Sequence, residues 1–192
     1  MKAIIFASLI VIIFCICITL IQETFVVYRE SMLNSKEYKV QEYTNGQRAA
    51  DLLAIINKNI RIIAKYMKQK YPVSQRVNRM IRRLDELEIE EAPHEEDSSS
   101  YTINKGELMA LCLRKKNENK HFHNMQTLMF VVIHEMAHVM SVSEGHTKEF
   151  MENFKFILKE AEETGIYKPQ NYQNEPIIYC GVKVTHNPYY NH

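Results

Sequence analysis

Apolar positions along the chain follow two periods, and the period assigns the elements. In residues 46–71, Leu52, Leu53, Ile56, Ile60, Ile63 and Met67 recur three and four apart, which lays one apolar stripe along an amphipathic helix. Tyr71-Pro72 ends it, because the residue before a proline is driven out of the helical region. Val77, Ile81 and Leu84 mark a shorter helix behind it. Residues 124–143 carry Leu128, Met129, Val131, Val132, Ile133, Met136 and Val139, so this helix is expected to be largely buried, with Asn124 as its N-cap. A last helix over 147–164 presents Phe150, Phe154, Ile157, Leu158 and Ala161 on one side, and Gly165 stops it. Residues 101–113 read as a hairpin that turns at Asn104, Lys105 and Gly106, and 108–113 are apolar enough for a strand covered on both faces. The tail adds a further strand around 179–184. The expected class is α+β, helices packed on a small sheet.

The N-terminal run has no helical stripe because it is apolar on every face. Residues 3–21 contain no charge, and at about 1.5 Å per residue their helix matches a hydrocarbon core of about 30 Å. The run is long for a signal peptide and no small-residue cleavage site follows, so an uncleaved transmembrane anchor is expected at 1–22. Residues 23–44 then read as a polar stem, and 45–192 as the domain. Lys2 on one flank and Arg29, Lys36 and Lys39 on the other leave the orientation open. The expectation is a single-pass membrane protein with lipid as a partner of its first helix.

Length and charge narrow the picture. The chain has 192 residues and a formal net charge of +1, which suits one domain with an appendage. Lys58, Arg61, Lys65, Lys68, Lys70, Arg76, Arg79, Arg82 and Arg83 form a basic block, and residues 85–100 answer it with an acidic run that reads as an exposed linker. Because the two nearly cancel and no aromatic pattern suggests a base-stacking platform, a solvated face is expected and nucleic acid is not an expected partner. Cys15 and Cys17 lie in the apolar run, Cys112 and Cys180 are far apart, and the last two are expected to be free thiols, with a disulfide between them as the alternative. With no CxxC pair, a thiolate zinc site is not expected.

The candidate chemistry lies in the buried helix, where residues 134–138 read His-Glu-Met-Ala-His. Positions i and i+4 share a helix face, so His134 and His138 can aim two ring nitrogens at one cation. Glu135 sits about 100° around the helix, beside the cation, where a general base belongs. Two histidines and a glutamate are costly in a buried helix unless they are satisfied. Gly145 allows the chain to reverse, and His146 just after it can swing back as a third ligand. Glu144, Glu149 and Glu152 are the rivals for that place, and three core histidines satisfied by hydrogen bonds are the plain alternative. Three ligands leave one position for water, as catalytic zinc requires. His94, His121, His123, His186 and His192 are read first as surface residues. Tyr179 and His186 are candidates to stabilise a transition state if the tail folds over the cleft.

The stretch from Met129 to Phe150 resembles the WLM and SprT-like zinc peptidases, which join HExxH to a later histidine followed closely by an aromatic; here that tail is Gly145, His146 and Phe150. The wider pattern is similar to metallopeptidases encoded by large DNA viruses: the Ala-rich helix near 49–54, Asn-Lys-Gly at 104–106, Thr-Leu-Met-Phe at 127–130, Gly-Ile-Tyr at 165–167 and Tyr-Cys-Gly at 179–181. The resemblance implies a zincin-like domain with one Zn2+ on His134, His138 and His146 and Glu135 as base, hydrolysing a polypeptide through a zinc-activated water. It also implies a virion or a host internal membrane as the location. The alternative is a membrane-associated structural or virion protein, assembled with other virion proteins, whose zinc only supports the fold.

Overall fold

The computed structural model describes residues 26–93, 99–116 and 120–190. Strands β1 (Val26–Glu30) and β2 (Glu37–Gln41) form an antiparallel hairpin. Helices α1 (Gly46–Lys70) and α2 (Gln75–Leu84) follow, then β3 (Glu88–Glu91), β4 (Tyr101–Ile103) and β5 (Leu108–Leu111). Helices α3 (Met125–Met140) and α4 (Lys148–Glu163) precede the antiparallel hairpin of β6 (Ile177–Tyr179) and β7 (Val182–Val184). A single 3-10 turn, Pro188–Tyr190, closes the described tail. The class is α+β, as the periods along the chain indicate.

Helix α1 owes its position to its stripe: Leu53, Ile56, Ile60, Ile63 and Met67 are fully buried, while Lys58, Lys65 and Lys68 lie on other faces. Helix α3 is the central element. Its buried residues cover most of its circumference, and α2, α4 and β4 pack around it. Strand β5 lies between β3, which it joins in parallel, and β4, which it joins antiparallel from Ile103↔Leu108 to Tyr101↔Ala110. Strand β4 is therefore an edge of this sheet and lies against α3. Its turn presses close to the helix: Gly106 has φ +123°, and a Cβ there would sit 3.0 Å from the Arg83 carbonyl and 3.1 Å from Val139. Glycine is required on both counts.

The basic block has a structural use. The last carbonyls of a helix lack partners within it. Arg83 Nη1 donates to the carbonyls of Val139 (2.7 Å) and Ser141 (2.8 Å), and Arg79 Nε donates to that of Met140 (2.8 Å). Arg76 stacks on Phe156, 3.9 Å from its ring centroid. These arginines tie α2 to the end of α3 and to α4 instead of forming only a solvated face. Hydrogen bonds from a charged donor contribute about 1.5–3 kcal/mol each, so Arg83→Ala is expected to cost about 2–4 kcal/mol in a urea titration. A loss below about 0.5 kcal/mol, the size of an ordinary surface substitution, would refute this capping role.

Several expectations are corrected. The segment read as a stem holds β1 and β2, whose Tyr38 and Val40 are buried in the core. The segment read as an exposed acidic linker holds β3; Ile89, Glu91 and Ala92 are buried, and Glu91 Oε1 accepts from Arg114 Nε at 2.6 Å. That buried partner is what allows a carboxylate inside. Cys112 and Cys180 are joined in a disulfide with their Cα atoms 6.4 Å apart, not free. The anchor expected at 1–22 lies outside the described residues, and among the described residues no helix is long and apolar enough to cross a membrane. The longest, α1, has 25 residues but carries Lys58, Arg61, Lys65, Lys68 and Lys70. The single-pass membrane expectation is set aside on that finding.

Candidate metal centre

The site is assembled by the end of α3 and the turn into α4. Asn124 Oδ1 accepts from the Thr127 N–H at 2.8 Å, which starts α3 at the expected residue. Fifteen or so ångströms further along, at about 1.5 Å per residue, His134 and His138 occupy one face a turn apart. The helix stops at Ser141, whose Oγ bonds back to the Ala137 carbonyl at 2.7 Å and receives Asn153 Nδ2 at 2.9 Å. The loop beyond is held by Glu149: its carboxylate accepts from the backbone N–H of Val142 (3.0 Å) and Ser143 (2.9 Å) and from Ser143 Oγ (2.8 Å). Those N–H bonds lower its pKa to about 2. Lys105 Nζ donates to the Ser143 carbonyl at 2.6 Å. Gly145 takes φ +72° and turns the chain so that His146 faces α3.

The structure brings the three predicted imidazoles together. His134 Nε2 lies 3.3 Å from His138 Nε2 and 3.0 Å from His146 Nε2, and all three donor atoms lie within 4.8 Å of one another. Tetrahedral zinc with bonds of about 2.0–2.1 Å requires nitrogens about 3.3 Å apart, so the donor set fits that ion. Phe150 sits among the rings, with centroids 4.8 Å from His134, 4.2 Å from His138 and 4.8 Å from His146. This packing explains the aromatic four residues after His146. Burial first, then the neighbouring rings, lowers the pKa of His134 to about 3 and of His138 to about 4, so both offer lone pairs at neutral pH. The rival carboxylates are engaged elsewhere: Glu149 in the loop, Glu144 with Lys105 at 3.2 Å and Glu152 with Lys148 at 3.9 Å.

Glu135 is 3% exposed, and burial raises its pKa to about 7, opposed by Thr102 Oγ1, which donates to Oε2 at 2.8 Å. Thr102 belongs to the edge strand β4, and its role was not visible in the sequence because the contact joins two elements. Tyr179 is buried beside the same site. It shares a 2.5 Å hydrogen bond with Ser100 Oγ, which also accepts from the Cys112 N–H at 3.0 Å. Burial, helped by the charge of Glu135, pushes the Tyr179 phenol above its ordinary range, so it stays protonated at neutral pH. A cavity of about 430 Å³ adjoins His134, Glu135 and His146; Phe130, Val131, Phe154, Val182 and Val184 give it apolar walls, and Tyr179 and the exposed His186 also line it. On the side of His138 lies a polar cavity of about 310 Å³ lined by Thr102, Asn104, Lys105 and Glu144. His94 and His192 lie outside the described residues, and His121 is exposed. His123, expected at the surface, is buried and has its Nε2 3.5 Å from Cys180 Sγ.

A family model described as the WLM domain matches residues 33–188. Uncharacterized protein R325 of Acanthamoeba polyphaga mimivirus is 33% identical over 164 residues, covering 82% of this chain and 81% of that protein. Uncharacterized protein 136R of Invertebrate iridescent virus 6 is 36% identical over 98 residues, covering 50% of this chain and 49% of that protein. Both relatives are encoded by large DNA viruses. Among solved structures, Wss1 from Saccharomyces cerevisiae aligns with a TM-score of 0.48 at 18% identity, over 66% of this chain and 89% of that one. The family match spans most of the sequence and takes in the whole histidine cluster, and the chain belongs to the WLM domain family, a family of the metallopeptidase type.

Proposed function

We propose that this chain is a zinc-dependent peptidase, with Zn2+ held by His134, His138 and His146 and with Glu135 as its general base. The observation that carries this reading is the convergence of three imidazoles next to a buried glutamate at the wall of a cavity. Among the described residues the cluster comprises three ligand side chains, the number of a catalytic zinc site and not of a closed structural one. When bound, zinc polarises a scissile carbonyl and makes water a better nucleophile at neutral pH. Glu135 accepts the proton of the attacking water and returns it to the departing amine. Thr102 holds Oε2 in place, which leaves Oε1 to carry that proton. The Tyr179 hydroxyl, protonated and beside Glu135, donates to the carbonyl oxygen as charge builds on it.

The surroundings suggest how a substrate lies. An extended polypeptide runs beside β4, the edge strand of its sheet among the described residues, and a large apolar side chain next to the scissile bond fills the cavity walled by Phe130, Phe154 and Val184. Incubation of the zinc-loaded chain with an unfolded protein, with product termini mapped by mass spectrometry, tests both statements. Leu, Phe or Met should be enriched at one fixed position beside the cut. A chelator should stop cleavage and added zinc restore it. Absence of cleavage by a chain carrying stoichiometric zinc would remove the peptidase reading, whereas cleavage with no side-chain preference would remove only the assignment of the cavity.

A further inference from the structure

We propose that Cys112, His123 and Cys180 form a second metal site, for a sulfur-seeking divalent cation such as zinc, which is exclusive with the Cys112–Cys180 disulfide. The side chains are brought together by three segments of the chain. Cys112 follows β5. The chain then returns on itself, with a bridge between Arg114 and Phe122 and a bond from the His123 N–H to the Leu113 carbonyl at 2.9 Å, which sets His123 beside Cys112. Cys180 comes from the turn between β6 and β7, where Cys180 (φ 47°) and Gly181 (φ 84°) both adopt the left-handed conformation. A non-glycine residue held there is uncommon, and the turn aims its side chain at the other two. All three side chains are buried, and their donor atoms lie within 4.8 Å of one another.

The geometry suits a metal once the sulfurs part. Tetrahedral zinc with bonds of about 2.3 Å to sulfur and about 2.0 Å to nitrogen sets sulfur and nitrogen about 3.5 Å apart and the two sulfurs about 3.8 Å apart. Cys180 Sγ and His123 Nε2 are already 3.5 Å apart. With Cα atoms at 6.4 Å, rotation of the two cysteine side chains after reduction supplies the sulfur separation. A cavity of about 430 Å³ lined by Lys115, Lys116, His123 and Cys180 opens beside them and gives an ion its way in. The chemistry balances: a dithiol reductant delivers two electrons and two protons to the S–S bond and itself becomes a disulfide. The cation then displaces the two thiol protons and takes a lone pair from His123. In either state the tail hairpin, and Tyr179 with it, stays fastened to the end of β5.

The test uses the full chain carrying Cys15→Ser and Cys17→Ser, so that Cys112 and Cys180 are its remaining thiols. It is reduced, its two thiols are counted by alkylation and mass spectrometry, and it is titrated with Co2+ after the reductant is removed. A thiolate-to-cobalt charge-transfer absorption is expected from the reduced chain, absent from the oxidised chain and lost in His123→Ala and Cys180→Ser. The all-imidazole cluster gives no such band, so the readout is independent of the peptidase reading. Circular dichroism follows the fold throughout. A reduced chain with two titrated thiols and no charge-transfer band overturns the proposal, whether it stays folded or unfolds. So does a band that survives both substitutions.

Discussion

Glu135→Gln is expected to keep zinc and to lose about 10²–10⁴-fold in kcat/KM, the range that a positioned general base supplies. The amide has the shape of the carboxylate and can still accept from Thr102 Oγ1, so the surrounding packing is preserved. What it lacks is the capacity to take a proton. Burial already disfavours the charged form of Glu135, so a neutral side chain there should not weaken the fold. Three readings on one sample decide the matter: zinc per chain by elemental analysis, thermal unfolding, and turnover of the mapped substrate. Turnover within tenfold of the unsubstituted chain, with zinc retained, would mean that another group moves the proton.

His146→Ala should separate metal affinity from folding. Loss of a partner that only orients a ligand typically costs 10–100-fold in affinity, so removal of a ligand itself should weaken zinc binding by more than about 100-fold. His146 is exposed on the loop after Gly145, and its ring is not part of the core, so the metal-free fold should be unchanged. Zinc at about 1,000 times its dissociation constant stabilises a folded chain by about 4 kcal/mol, and a variant about 100-fold weaker should lose about 2.7 kcal/mol of that increment at the same zinc concentration. Competition with a chromophoric chelator measures the affinity, and thermal unfolding with and without zinc measures the increment. Unchanged affinity would make one of the loop carboxylates the third ligand instead.

Much of the frame was legible because it is local. The stripe of α1, the Asn124 cap of α3 and the stop at Gly165 each depend on residues within a turn or two of one another. The i, i+4 pair of histidines is local in the same sense. What escaped was set by distant partners. Strands β1 and β2 alternate only briefly, with Tyr38 and Val40 turned inward from a segment otherwise polar in composition. Strand β3 lay inside a run whose charge suggested exposure; Glu91 is buried because Arg114, 23 positions later, meets it. The role of Thr102 comes from a contact between a strand and a helix 33 positions away. The pairing of Cys112 with Cys180, and the burial of His123 beside them, depend on a return of the chain that no spacing rule announces.

The disulfide has a topological consequence. It closes a covalent ring across 68 positions, and the helix with the HExxH motif, the Gly145 turn and all three imidazoles lie inside that ring. On the chain-entropy account, a ring of that size removes about 4 kcal/mol of freedom from the denatured ensemble. A single nick anywhere inside it would leave both fragments joined, migrating as one species until a reductant opens the bond.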